Sequence, residues 1–524
     1  MQNHFSPRFI EKSWLIALVF FISASPGVFA QCGCDHTIPA GAGAFTFNGT
    51  SSGVQPGDVI CISSGARERI VLQNIVGSAA NPVIIQNCGG QALVGGPLAN
   101  NGITISNSRY FKISGKGDAG VQYGIKIVGT GAGKQGVAIT GFSSDFEIEN
   151  MEITLAGFAG IMAKIDPSTN CADTAPERPN HTLANAKIHD CYFHDITGEG
   201  IYLGNSFYRG TTVYCGSNQY PHEVRGVRIY NNLLESTGWE SIQVGSAVSD
   251  VEIYNNRIYN YGAANNPSQN GGIQMGLGTT GRLYNNFVKG GTGPALVIQG
   301  IGENYVYNNI VINAGVEAIN INTRSTPLAT DIVANGYLGG VYIINNTIVS
   351  AGIAAIKENL NDAPGNVLFN NLIVACPAAW DQTKSQYDWT KGNNVVIPLL
   401  ANANFVNAIL DDYHLLSGSL AINAGRNVAS FGVTFDLDGS ARPNGASWDA
   451  GAYELSGNLK PIVTVGANQS LTLPTNSTTL TGSAVDLDGT IASYLWTKAS
   501  GPARTTTRLG LSGVFHQARC DSRR

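Results

Sequence analysis

Ile229-Tyr230-Asn231-Asn232 recurs down the middle of the chain as Ile253-Tyr254-Asn255-Asn256, Leu283-Tyr284-Asn285-Asn286, Val306-Tyr307-Asn308-Asn309, Ile343-Ile344-Asn345-Asn346 and Leu368-Phe369-Asn370-Asn371. The first Asn of each pair falls at 231, 255, 285, 308, 345 and 370, so successive spacings are 24, 30, 23, 37 and 25 residues. Self-similarity at such a period marks a solenoid, whose units bury their apolar sides only by stacking on one another. The shortest spacing sets one turn of the coil. The excess in the longer ones must loop out, and insertions that collect on one face often build a binding surface.

The same register extends toward the N-terminus. Three segments of 15 residues, Ile148 to Met162, Ile188 to Tyr202 and Ile229 to Gln243, lie over each other without a gap. Ile161, Ile201 and Ile242 then share a column, as do Ala159, Glu199 and Glu240, and Met162, Tyr202 and Gln243. Gly272-Ile273-Gln274 continues Ser241-Ile242-Gln243 after an insertion at 263–270, and two longer excursions occupy about 164–184 and 205–222. Short β-branched runs without amphipathic helices between them predict stacked parallel strands rather than a βαβ sheet.

Composition agrees with many tight turns between short strands: 64 Gly, 13% charged and 43% hydrophobic residues among 524. A net charge of -5 provides no basic footprint for nucleic acid. Arg8 and Lys12, the apolar run Trp14 to Ile22 and the small-residue end at Ala30 have the layout of a cleaved secretory signal, which predicts an extracellular or cell-surface protein starting at Gln31. No later run reaches the roughly 20 apolar residues of a membrane span. Export permits disulfides. Of the nine cysteines, Cys171 and Cys215 are the expected pair, both lying in inserted loops, with unpaired core thiols as the competing reading.

With these repeats in view, residues 31–457 resemble a right-handed parallel β-helix of the pectate-lyase-like superfamily, in which short strands on three faces stack and Asn residues form ladders at the turns. The stretch from Tyr413-His414-Leu415 through Asn423-Ala424-Gly425, Asp436-Leu437-Asp438-Gly439, Arg442-Pro443 and Asp449 to Glu454 resembles the closing segment of secreted bacterial β-helix proteins and is expected to cap the coil. Its acidic residues are expected in turns, although Asp436 and Asp438 have Ca²⁺-compatible oxygen chemistry. Pro461 to Val465, Asp486-Leu487-Asp488-Gly489 and Tyr494-Leu495-Trp496 resemble the start of a polycystic-kidney-disease-type immunoglobulin-like domain. The reading is therefore all-β: a signal at 1–30, a coil at 31–457, a partial β-sandwich at 458–502, and an Arg-rich tail at 503–524 whose lack of alternation suggests a truncated or frame-shifted end.

Chemistry is expected on the outward face of the rungs from 160 to 274. Equal register puts the Cα atoms of Glu199 and Glu240 about 5 Å apart. Two carboxylates that close cannot both ionise freely, so one becomes an acid and the other a base, as in a retaining glycosidase. They could instead share Ca²⁺ or bond to turn amides. Lys164 and His222, at the mouths of the excursions, are candidates for neutralising a uronate and carrying a proton. Tyr202, Trp239, Gln243 and Gln274 suit sugar binding, or else the two glutamines form a ladder of their own. His189, Asp190, His194 and Asp195 form a second polar group, with Asp190 standing where other rungs have Asn.

Two functions compete. The superfamily resemblance implies a polysaccharide lyase or glycoside hydrolase, a monomer acting on a polysaccharide or cell-surface glycan, with Ca²⁺ a candidate cofactor. Against a pectate lyase, no rung carries an Asp cluster with a partnering Arg. The alternative is a non-catalytic adhesion or structural protein that uses the coil as a rigid spacer.

Overall fold

The computed structural model describes residues 32–300, 302–322, 339–359, 365–381 and 389–455, and short stretches at 462–467, 481–485, 491–497 and 517–522. The signal-like segment and most of the tail lie outside the described residues. The chain is a right-handed parallel β-helix with a PKD-like region behind it. Each full rung has three strands. Glu223–Tyr230, Leu233–Thr237 and Ile242–Val244 make one such rung. The third face is a ladder of 12 strands running from Ala44–Asn48 to Trp380–Asp381. Ile161, Ile201, Ile242, Ile273, Leu296, Ile319 and Ile356 pair in unbroken register along it. These side chains point inward and, with their counterparts from the other two faces, form one continuous Ile, Val and Leu core.

The two asparagines of the repeat do different work. The first turns the chain from one face to the next in the left-handed conformation, with φ from 52 to 57° at Asn231, Asn255, Asn285, Asn308, Asn345 and Asn370. Asn tolerates that region better than other residues with a Cβ. Asp190, at φ 54°, occupies the same column, so its place in the repeat is a turn position. The second Asn is buried and builds a ladder. The side chains of Asn232, Asn256, Asn286, Asn309, Asn346, Asn371 and Asn394 are joined Nδ2 to Oδ1 at 2.9 to 3.0 Å. Asn393-Asn394 is thus a seventh pair beyond the six quoted above. One residue before the turn, His189, Tyr230, Tyr254, Tyr284 and Tyr307 stack with ring centroids 4.5 to 5.0 Å apart.

The closing segment is a side cover rather than an end cap. Tyr413, Leu415, Ala421, Ala450 and Ala452 pack on Phe287, Ile310, Ile312, Val349, Leu372 and Val374, which the second face turns outward. The first asparagines of the last rungs fasten it. Asn308 Nδ2 donates to Phe435 O, Asn345 Nδ2 to Asp449 O, Asn370 Nδ2 to Arg426 O and Asn393 Nδ2 to Ala424 O. Arg442, fully buried, meets Glu454 at 2.6 Å and also donates to Asn308 Oδ1 and Gly451 O.

Cys171 and Cys215 are bonded, and two further bridges, Cys32 to Cys88 and Cys34 to Cys61, fasten the N-terminal end. Cys191, buried, and Cys376 are free thiols. Beyond the coil, Ile462–Val465 pairs antiparallel with Gly482–Val485, and Ile491–Thr497 with Gln517–Ser522. The tail therefore contributes a strand, which its composition does not suggest. Among the described residues no helix is long and apolar enough to cross a membrane.

Candidate functional site

The third face carries the candidate site because its strands are short and its turns take the insertions. Backbone hydrogen bonds at the strand starts fix one column: Gly160 N to Glu199 O, Gly200 N to Glu240 O, Ser241 N to Gly271 O, Gly272 N to Pro294 O and Ala295 N to Glu317 O. Glu199 and Glu240 therefore stand on neighbouring rungs. Glu240 and Glu317 stand three rung steps apart, with a glycine and a proline between them. In the next outward column Met162, Tyr202, Gln243, Gln274, Val297, Asn320 and Lys357 follow in register.

An open cleft of about 760 Å³ lies over these columns from Glu240 to Lys357. That volume is in the range of small-molecule and cofactor sites. Asn265 to Asn270 of the third insertion form one wall. Pro294, Val297, Val316 and Ile353 supply apolar surface, and Gln274, Gln299 and Asn320 supply amides. Among the described residues, Glu240, Glu317 and Lys357 are the charged ones of the lining. Lys357 Nζ lies 2.8 Å from Glu317 Oε1, and Asn320 Nδ2 donates to Glu317 Oε2 at 3.1 Å. The Glu240 side chain leans toward the gap, its Cγ only 3.6 Å from where a Cβ on Gly271 would stand.

Glu199 lies outside this opening. It is 0% exposed, and neither carboxylate oxygen has a hydrogen-bond partner. Burial pushes its carboxyl up to about 7, with its own backbone amide and Lys164 pulling the other way. Loss of hydration penalises the charged form, as it does in buried catalytic acids. Tyr202 and Gln243 are also buried, as are Glu240, Gln274 and Glu317 at the base of the cleft. Lys164 sits 4.9 Å over the Tyr202 ring and pairs with Asp166 at 2.9 Å. Trp239 meets the Phe158 ring edge-on at 5.4 Å, across the space left by Gly198.

His222 is held as a neutral structural residue. Its Nε2 accepts from Ile165 N at 3.2 Å and its Nδ1 faces Glu223 O at 3.0 Å. Burial lowers its pKa. With both ring nitrogens committed to backbone groups, it has no free lone pair or N–H to offer a substrate. Of the expected residues, the structure thus brings only Glu240 and Gln274 to the open cleft. Glu199, Lys164, Tyr202 and Gln243 lie outside its lining, and no side-chain hydrogen bond joins Gln243 to Gln274 among the described residues. The centre of the site is shifted along the coil from the expected rungs, 160 to 274, to the rungs of 240 to 357. Asn320 and Lys357 were not among the expected residues. Glu317 is placed in the Glu240 column by the sequence register itself, with Gly271 and Pro294 at the two rungs between.

The other polar groups do not fit a Ca²⁺ site. Asp436 Oδ1 accepts from the amides of Asp438 and Ser440 and its Oδ2 from that of Glu454, while Asp438 pairs with His414 at 2.9 Å. Glu147, Glu149 and His189 converge on one point, but Lys112 Nζ already lies 2.8 Å from Glu149 and also pairs with Glu147, in the place a cation would take.

A family model for a PKD domain matches residues 465–511, past the point where the resemblance was expected to end. No curated protein matches the sequence. Solved structures similar to the chain include pectate lyase Pel9A, at 13% identity over 82% of this chain and 99% of that one, with a TM-score of 0.42. Another is the PL6 family polysaccharide lyase Pedsa3628 from Pseudopedobacter saltans, at 15% identity over 67% and 92%, TM-score 0.37. XylC in complex with xylose is similar at 12% identity over 68% and 76%, TM-score 0.39. Likeness at this level bears on neither the reaction nor the substrate.

Proposed function

We propose that the protein is a secreted carbohydrate-active β-helix protein, a glycoside hydrolase that holds a neutral glycan in the cleft between Glu240 and Glu317. The observation that carries this reading is the pair of carboxylates in one column with Gly271 and Pro294 between them, a gap floored by small residues and bordered by amides. Amides meet sugar hydroxyls and the apolar wall meets ring C–H faces. Glycoside hydrolysis needs one carboxyl to protonate the leaving oxygen, with its partner carboxylate within about 10 Å. Three rung steps put the Glu240 and Glu317 backbones about 14 Å apart, so Glu317 is assigned to binding rather than to the chemical step. Glu317, paired with Lys357 at 2.8 Å, offers its carboxylate as an acceptor for sugar hydroxyls. Glu240 takes the acid role, beside the buried Glu199, whose carboxyl burial pushes up to about 7.

Charge favours hydrolysis over elimination. Among the described residues Glu240 and Glu317 outnumber Lys357, and Lys357 is already engaged, so the described lining offers no spare cation for a uronate. Purified protein on a panel of neutral and uronate-containing polysaccharides should release reducing ends from a neutral polymer without absorbance from unsaturated products. Glu240→Gln should slow release by about a hundred-fold or more, the usual contribution of a general acid. Unsaturated products from a uronate polymer, or an unchanged rate in Glu240→Gln, would refute the assignment. No cleavage of any polymer would leave the adhesion or spacer role as the better reading.

A further inference from the structure

The outward columns of the third face continue past Glu240 toward the N-terminus, whereas the lining of the cleft begins at Glu240. Tyr202 projects from the sheet in the same column as Gln274, but Lys164 sits 4.9 Å over its ring and Ser206 Oγ lies 3.3 Å from its hydroxyl, and Glu199 on the same rung is fully buried. Lys164 and Ser206 belong to the insertions at 164–184 and 205–222, which thus close over this rung. The two insertions are fastened to each other by the Cys171–Cys215 bridge, and Gln219 Nε2 donates to Ser168 O and Glu177 Oε1 at 2.8 and 3.2 Å. The cover is also seated on the coil. Arg178 stacks on Tyr208 at 3.8 Å, and Tyr208 fills the space above Gly278, where a Cβ would fall 2.5 Å from the ring.

The cleft itself is longer along the coil than across it. From the rung of Glu240 to that of Lys357 there are four steps, about 19 Å, whereas a three-residue strand spans about 10 Å. A linear glycan therefore lies along the coil axis, and at the Glu240 end it runs into the cover. We infer that the cleft receives the end of a glycan chain rather than its interior, with the disulfide-fastened insertions as the stop. This rests on the glycan reading above and adds the substrate class: free chain ends, shortened by small units next to the stop.

Two measurements test it. With the polymer that the wild-type protein cleaves, short oligosaccharides should accumulate from the start while viscosity falls slowly relative to reducing ends. In binding to Glu240→Gln, a linear neutral oligosaccharide should bind at least about ten-fold more tightly than a macrocycle of the same repeat. Early collapse of viscosity, or equal binding of the macrocycle, overturns the inference while leaving the hydrolase reading intact. Binding and cleavage of no glycan overturns that reading and this inference together. Gly278→Ala, which at φ 81° and against Tyr208 should lift the cover, is expected to shift products toward longer fragments. Wild-type-like products from a folded Gly278→Ala whose Tyr202 has become accessible to solvent would likewise refute the stop.

Discussion

Asn285 and Asn286 are adjacent, identical in type and separated in function by the fold, so substituting each in turn is a stringent test of the rung architecture. Asn286 Nδ2 donates to Ile253 O, Tyr284 O and Asn309 Oδ1 at 2.9 to 3.0 Å, and its Oδ1 accepts from Asn256 N and Nδ2. Asn286→Ala strands the buried amide of Asn256, which costs about 1–3 kcal/mol, and forfeits several further bonds worth about 0.5–1.5 kcal/mol each. A loss of about 3–5 kcal/mol is expected. Asn285→Gly keeps the left-handed turn at φ 56°, since glycine enters that region freely, and should cost less than about 1 kcal/mol. Urea unfolding with the slope checked for constancy measures both, because an unchanged slope means that the shift in midpoint is a shift in stability. Equal losses at the two positions, or a loss below about 1 kcal/mol for Asn286→Ala, would refute the ladder as the internal brace of the coil.

Two further outcomes follow from buried charge. Glu199 titrates near 7 when folded and near 4.5 when unfolded, so the native state binds more protons between those values and stability should fall as pH rises through that window, by roughly 3 kcal/mol for a fully realised shift. His181, lowered to about 4 chiefly by burial, works in the opposite direction between 4 and 6.5. The diagnostic is therefore the difference between wild type and Glu199→Gln, which should grow in favour of the variant from pH 5 to 8; a constant difference would show that Glu199 is not held neutral. Arg442→Met leaves Glu454 as an uncompensated buried carboxylate and should cost about 3–5 kcal/mol. Proteolysis should then begin in the closing segment, and a variant within about 1 kcal/mol of wild type would contradict its role as the fastening.

Much of the coil was legible because the repeat is local and its chemistry is specific. A left-handed turn favours Asn at one position, a buried turn needs an amide at the next, and both recur at the period of the rung. The side position of the closing segment also left a trace. Ile310-Val311-Ile312 and Leu372-Ile373-Val374 are apolar without alternation, as expected of strands buried on both faces. Val311 and Ile373 enter the core, and the flanking residues had to be covered by something. The two N-terminal disulfides had no such signal, because pairing Cys32 with Cys88 and Cys34 with Cys61 depends on how the first strand lies along the next two.

The site was only half legible, and the reason is geometric. Register locates residues along a column but does not say what an inserted loop will cover. Glu199 and Glu240 are neighbours by register and both are buried, but only Glu240 belongs to the lining of the cleft. The feature that separates a solvated face from a usable site is the break in the column. Side chains at 271 and 294 comparable to the flanking glutamates would fill the space between Glu240 and Glu317, whereas Gly271 and Pro294 keep it clear. A ligand can therefore approach two carboxylates of different character at once. Glu240 borders Glu199, whose carboxyl burial pushes up to about 7, and Glu317 is paired with Lys357 and accepts from Asn320. A rigid spacer would gain nothing from leaving that column open.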